Sequence, residues 1–285
     1  MGTLPLWAAA ALVATSPAAI KHPDWVRPIK PFLVIDNVYY VGSADIASWL
    51  IKTPKGLILL DAGMPEYAPT VEANIRTLGF RPSNIKIMLI SHAHFDHSGG
   101  LARIKADTGA RLIASAGDRY ALEHGVNPGA EDDHSYDAPP VKVDALIADG
   151  GKVSLGGVTL TAVLTPGHTA GCTNYLLPVR DAGRHHTVFF FCSASIAGNR
   201  LVPHPQYPGI VADYRRTFRR LKSIKADVFL APHAEFFDHD KKLALVGKPG
   251  ANPFIVPGEL QRVANDLDRG FRRELVTQTA RAQHS

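Results

Sequence analysis

Short apolar runs punctuated by Gly, Pro, Asp and Asn recur along the first half of the chain. Residues 32–42 (FLVIDNVYYVG) and 46–53 (IASWLIKT) predict strands, with a turn around Ser43 to Asp45. LILLD is a third apolar run, ending at Asp61 and closed by Gly63 and Pro65. The next segment, EYAPTVEANIRTLGF, sets Val71, Ile75 and Leu78 on one helical face and meets a suitable stop at Gly79. IKIMLIS and RLIAS predict strands, and GLARIKADTG and AGDRYALEHG predict helices. Residues 126–140 (VNPGAEDDHSYDAPP) carry no period. They predict a loop, and its length makes it a candidate border of a substrate cleft.

The second half repeats the theme. VKVDALIA, KVSLGG, VTLTAVLTPGH, CTNYLLP and TVFFFCSAS predict strands, with a polar turn at residues 180–186. DYRRTFRRLKSIK predicts a helix with Asp213 as its N-cap. ADVFLAPH predicts a strand ending at His233. From Pro257 a long helical pattern runs through Leu260, Val263, Leu267, Phe271 and Leu275. Two similar halves of strands and helices imply an α/β fold with two sheets packed together and helices outside.

Composition narrows the setting. The chain has 285 residues, 46% hydrophobic and 20% charged, enough for one large domain or two small ones. Net charge is +5. Its densest basic cluster is Arg215, Arg216, Arg219, Arg220 and Lys222, interleaved with Tyr214, Phe218 and Leu221. That spacing fits a solvated helix face, so no nucleic-acid partner is expected. Residues 1–18 read as an export signal peptide: an apolar run without charge, followed by Ser16, Pro17 and Ala18. The expected location is the periplasm, with residues 19–285 as the mature domain and no membrane attachment after cleavage. Cys172 and Cys192 are expected to close a disulfide in that setting, the alternative being two buried free thiols.

The chemistry gathers in ISHAHFDHSGG. His92, His94, Asp96 and His97 fall within six positions, between an apolar strand and a helix. Alternate residues of an extended chain share a side, so His92 and His94 can reach one ion. Two more histidines sit at strand ends, His168 in TPGHT and His233 in LAPH. A catalytic zinc takes three protein ligands and leaves a position for water, so six ligands fit two zinc ions. Asp61, in LDAGMP, stands where a carboxylate could orient a ligating imidazole. The remaining histidines contrast with these. His22, His185, His186, His239 and His284 lie in polar or terminal stretches and are expected at the surface.

The HxHxDH pattern resembles the metallo-β-lactamase superfamily. The resemblance runs from about Val34 to Phe237 and implies the αββα sandwich. It implies that His92, His94 and His168 hold one zinc, and Asp96, His97 and His233 the other, two Zn2+ per chain. In many hydrolases of that superfamily, the strand matching TVFFFCSAS ends in a Gly-Asp whose carboxylate bridges both ions. Here the place reads Cys192-Ser193. A serine there, with PGHTAGCT and NPFIVPGEL, resembles the third subclass of class B β-lactamases. The implied reaction is opening of the β-lactam ring of penicillins, cephalosporins and carbapenems by a zinc-held hydroxide, with Asp96 orienting it. Ser193, Ser195 and Arg200 are the implied substrate-binding candidates, and Trp25 and Tyr39 candidate cleft walls. The expected partner is a small-molecule β-lactam and the expected state a monomer. The alternative is a lactonase or thioesterase on the same fold.

Overall fold

A computed structural model describes residues 16–283. Most of the expected leader, residues 1–15, and His284 lie outside the described residues. The expected cleavage point after Ala18 falls inside a short helix, α1 (Pro17–Lys21).

Two mixed sheets face each other. The first runs in chain order through β1 (Phe32–Ile35), β2 (Val38–Tyr40), β3 (Trp49–Thr53), β4 (Gly56–Leu60), β5 (Ile85–Leu89), β6 (Arg111–Ser115) and β7 (Ala145–Ile147). The second contains β8 (Lys152–Leu155), β9 (Val158–Leu164), β10 (Thr173–Asp181), β11 (Arg184–Phe190) and β12 (Val228–Leu230), in the order β12-β11-β10-β9-β8. On the outer faces lie α2 (Ala68–Thr77), α4 (Leu101–Thr108) and α5 (Ala116–His124) on one side, and α6 (Ile210–Ser223) and α8 (Glu259–Gln283) on the other. Two short helices, α3 (Phe95–Ser98) and α7 (His239–Leu243), sit in the connections. This is the expected αββα sandwich.

Continuous apolar runs become strands here because both faces are covered. Trp49 and Ile51 of β3, with Ile58 and Leu60 of β4, point into the core between the sheets, against Tyr175, Leu177 and Phe190. Their neighbours Leu50, Leu57 and Leu59 point the other way, toward Val71 and Ile75 of α2 and Ile104 of α4. On the far side, Tyr214 of α6 stacks on Phe271 of α8, and Phe218 packs tilted against the same ring. Residues at period two thus fill two different cores at once, which hides the alternation in the sequence.

Several boundaries differ from expectation. Residues 32–42 are not one strand but a hairpin, turned at Asp36, whose φ is 50°. Only Ala145–Ile147 of residues 141–148 is strand, because Val141 bonds its N–H to the carbonyl of Leu122 instead of a neighbouring strand. Helix α6 starts at Ile210 with Gly209 as N-cap, so Asp213 is not the cap but a residue of the first turn, facing Arg216. His239 is not at the surface: it is buried, its ring against Phe32, Tyr40 and Phe237. Cys172 and Cys192 form a disulfide with a Cα–Cα distance of 5.7 Å, just before β10 and just after β11.

Candidate metal centre

All six expected ligands meet along one edge of the sandwich, at strand ends. His92 and His94 follow β5, and Asp96 and His97 ride on α3, which begins directly after His94. His168 lies in the connection from β9 to β10, and His233 follows β12. One sheet therefore supplies four of the groups and the other sheet two. They fall into two clusters. His92, His94 and His168 offer nitrogens within 4.8 Å of one another, as do the donor atoms of Asp96, His97 and His233.

Each imidazole spends one nitrogen on an oxygen or stands beside one, which leaves the other facing its cluster. His92 Nδ1 donates to Ser91 Oγ at 2.9 Å, and that hydroxyl donates to Asp61 Oδ2 at 2.8 Å. His94 Nε2 donates to the Pro128 carbonyl at 3.0 Å, so its Nδ1 is the free atom. His168 Nδ1 donates to the Ser195 carbonyl at 2.8 Å. His233 Nδ1 faces Asp45 Oδ2 at 3.3 Å, and His97 Nδ1 lies 4.0 Å from Asp61 Oδ2. Such outer partners fix ring orientation and raise ligand basicity at metal sites.

The donor geometry fits a metal. His92 Nε2 is buried without a hydrogen-bond partner. In the other cluster the two Nε2 atoms of His97 and His233 are 3.3 Å apart, and Asp96 Oδ2 is 3.3 Å from the first and 3.5 Å from the second. A tetrahedral zinc with bonds of about 2.0–2.1 Å needs ligand atoms about 3.3–3.4 Å apart. His233 turns Nδ1 toward Asp45, buried His97 Nδ1 has no hydrogen-bond partner, and both Nε2 atoms face the same point as Asp96 Oδ2, where a cation fits.

Burial sets the proton affinities. It pushes His92 and His168 well below the usual imidazole value, and His94 to about 4. Burial works the same way on His97, but the carboxylates of Asp96, Asp61 and Asp45 outweigh it and raise its pKa. Burial alone would raise Asp96. The neighbouring His97, His233 and His94 overcome it and hold Asp96 well below the usual carboxylate range. Asp61, buried with only partial relief from His97 and Ser91, is raised to about 6.

The residues expected to bind substrate divide. Ser193 is buried and donates to Ser195 Oγ at 3.3 Å, and Ser195 Oγ is 3.3 Å from His168 Nδ1. Arg200 is exposed and shares with Ser195 a groove against α8. Trp25 stands 6.0 Å from the rings of both His233 and Phe95, at the site. Tyr39 does not join it and packs on Phe80. The 126–140 loop does border the centre: besides the Pro128 carbonyl, Asn127 Oδ1 accepts from the Phe95 N–H at 3.0 Å. Asp45, Ser91 and Asp118 went unrecognised in the sequence. Asp45 and His233 are 188 positions apart, and no spacing rule links them.

The comparisons agree with this geometry. The family model of the metallo-beta-lactamase superfamily matches residues 42–233, and the chain belongs to that family. Among solved structures, it is similar to BJP-1, a subclass B3 metallo-beta-lactamase of Bradyrhizobium japonicum. The TM-score is 0.89 and the identity 46%, over 93% of this chain and 99% of that one. It is also similar to the native FEZ-1 metallo-beta-lactamase from Legionella gormanii (TM-score 0.84, 37% identity, 89% of this chain and 98% of that one). Among curated proteins it matches a hydroxyacylglutathione hydrolase of Rhodospirillum rubrum, 33% identical over 39% of this chain and 35% of that one. The chain spans less than two-thirds of the length of the first such hydrolases it matches. The likeness to the third subclass, and the expected fold, are borne out. The chain has a metallo-hydrolase fold with two metal-type clusters, and no described helix is long and apolar enough to cross a membrane.

Proposed function

We propose that this protein is a dizinc hydrolase that opens the β-lactam ring. The observation that carries the reading is the end of β11. There Cys192 is tied up in the disulfide, and Ser193 follows it where the family resemblance implies a bridging aspartate in thioester hydrolases. The two clusters are thus three histidines and an Asp-His-His set without a shared carboxylate. The similarity to BJP-1 over almost the whole of both chains supports it.

His92, His94 and His168 would hold one zinc, and Asp96, His97 and His233 the other. Bound zinc lowers the pKa of a coordinated water to about 7 and polarises a carbonyl oxygen. The chain's own groups do the rest. Asp96 stays ionised; its Oδ2 faces His97 and His233, which leaves Oδ1 to accept a hydrogen bond from the attacking water. The water oxygen bonds to the lactam carbonyl carbon, the C–N bond breaks, and a proton given up by that water ends on the departing nitrogen. Ser193 donates to Ser195, and His168 Nδ1 donates to the Ser195 carbonyl, so the Ser195 hydroxyl hydrogen is free for the substrate carboxylate. Arg200, on the same loop, adds a positive charge beside it. No covalent acyl-enzyme is required.

The test is hydrolysis of a penicillin, a cephalosporin and a carbapenem, with and without EDTA, beside a count of zinc per chain. Turnover abolished by EDTA, restored by zinc, with two ions bound is expected. The curated matches favour a second reading, hydrolysis of a glutathione thioester. Turnover of such a thioester with no β-lactam opened would replace the first reading with the second. Residues 1–18 are proposed as an export leader, with the mature protein a periplasmic monomer. An N-terminal sequence of the exported protein that still begins at Met1 would overturn that.

A further inference from the structure

The first cluster is assembled from two sheets, and something must hold its halves in register. His92 and His94 come from the end of β5, and His168 comes from the connection between β9 and β10. Between these arms lies Asp118, in the first turn of α5, only 2% exposed. Its Oδ2 accepts from the Ala93 N–H at 3.0 Å and from the Thr169 hydroxyl at 3.0 Å, and its Oδ1 accepts from the Gly171 N–H at 2.9 Å. Ala93 sits between His92 and His94, and Thr169 follows His168 directly. One buried carboxylate thus grips the backbone between two of the histidines and the residue next to the third.

The packing around it leaves no slack. A Cβ on Gly117 would lie 2.4 Å from the Ala170 carbonyl oxygen, and a Cβ on Gly171 would lie 2.4 Å from the Asp118 nitrogen. The start of α5 is therefore seated directly on the His168 loop. Ser115 Oγ adds a bond to the Gly171 carbonyl at 2.6 Å. A backbone bond from Thr173 N–H to Ser91 O at 2.8 Å also joins the two arms, but at their roots rather than beside the histidines. None of Asp118's three partners carries a charge. A buried carboxylate left to three neutral donors costs more than a neutral side chain would, which points to a local role rather than a gain in stability.

We infer that Asp118 is a positioning residue for the His92, His94 and His168 cluster, clamping the two arms so that the three free ring nitrogens converge. The inference rests on the metal-centre reading above. It predicts a selective effect, because the hydrogen bonds of Asp118 go to Ala93, Thr169 and Gly171, none of them next in the chain to Asp96, His97 or His233. Asp118→Asn keeps the shape but sets an amide N–H₂ against one of the three donors. Loss of such an outer partner typically weakens metal binding about 10- to 100-fold.

Zinc affinity, read by chelator competition, would be measured for Asp118→Asn in two backgrounds. His233→Ala leaves the first cluster whole, and His168→Ala leaves the second whole. The expected result is a 10- to 100-fold loss in the His233→Ala background and none in the His168→Ala background. The milder Thr169→Val, which removes one donor and keeps the carboxylate, is expected to give a smaller loss in the same background. Equal weakening in both backgrounds would mean a merely structural role and would overturn the inference, as would no weakening in either. A parent protein that binds no zinc would instead overturn the metal-centre reading, and this inference with it.

Discussion

The disulfide makes the sharpest quantitative prediction, because its removal tests stability and ligand assignment together. Cys172 and Cys192 are both fully buried and separated by 20 residues. In the chain-entropy model, opening a loop of that length costs about 3 kcal/mol. For a domain of this size that corresponds to a fall in Tm of about 6–12 °C. Reducing the wild type removes the cross-link and keeps both sulfurs. The double variant Cys172→Ala/Cys192→Ala also leaves two small voids, each worth about 1 kcal/mol more. The metal-free protein is the one to melt, since bound ions add their own stabilisation. Oxidised, reduced and doubly substituted protein should melt in that descending order, and the double variant should still bind two zinc ions. Coincident melting of oxidised and reduced protein would refute the stability argument. Loss of one zinc from the double variant would refute the ligand assignment, because Cys192 would then be a ligand.

Other outcomes follow from the same geometry. His94→Ala should lose zinc and hydrolysis together, and a zinc-free variant with full turnover would sink the site. Acidification should strip the second cluster first. A proton competes more strongly for His97, whose pKa the neighbouring carboxylates raise, whereas it competes for His94 only near pH 4. A pH titration of bound zinc should therefore release one equivalent well before the other, and simultaneous release would contradict the assignment. Ser195→Ala should raise KM for β-lactams about 10-fold, with kcat little changed, if it donates to the substrate carboxylate. Lys242 and Glu259 form a buried ion pair at 2.6 Å, so Lys242→Ala, which leaves the carboxylate only the longer 3.5 Å contact to half-exposed Arg262, should cost about 3 kcal/mol in urea unfolding.

What could be read in the sequence depended on how far each feature reaches along it. His92, His94, Asp96 and His97 are contiguous, and His168 and His233 each close an apolar strand, so all six declared themselves. The sandwich was legible from the order of the runs. Partnerships across the fold were not. Asp45 meets His233, and Asp118 meets Gly171, only because strands far apart in sequence end on the same edge. Asp61 was expected at a ligating imidazole. It reaches His92 through the Ser91 hydroxyl, an intermediary that no pattern announces. His239 misled for another reason. Its stretch is polar and aperiodic, but the left-handed Asp238 before it turns the ring inward among aromatic residues. The start of α6 shifted because Gly209, at φ 88°, caps the helix one turn before the residue that composition favours.

The distribution of the ligands along the chain bears on synthesis. Ribosomes deliver residues from the N-terminus, but a domain generally folds as a unit. His92 and His94 appear early, but the first cluster closes only when His168 emerges, and the second only when His233 does. Asp96 and His97 are thus made long before their partner. Until then they are two-thirds of a ligand set. Strand β12, which ends just before His233, also completes the second sheet against β11, so the last ligand arrives with the last strand and the centre is a property of the whole domain.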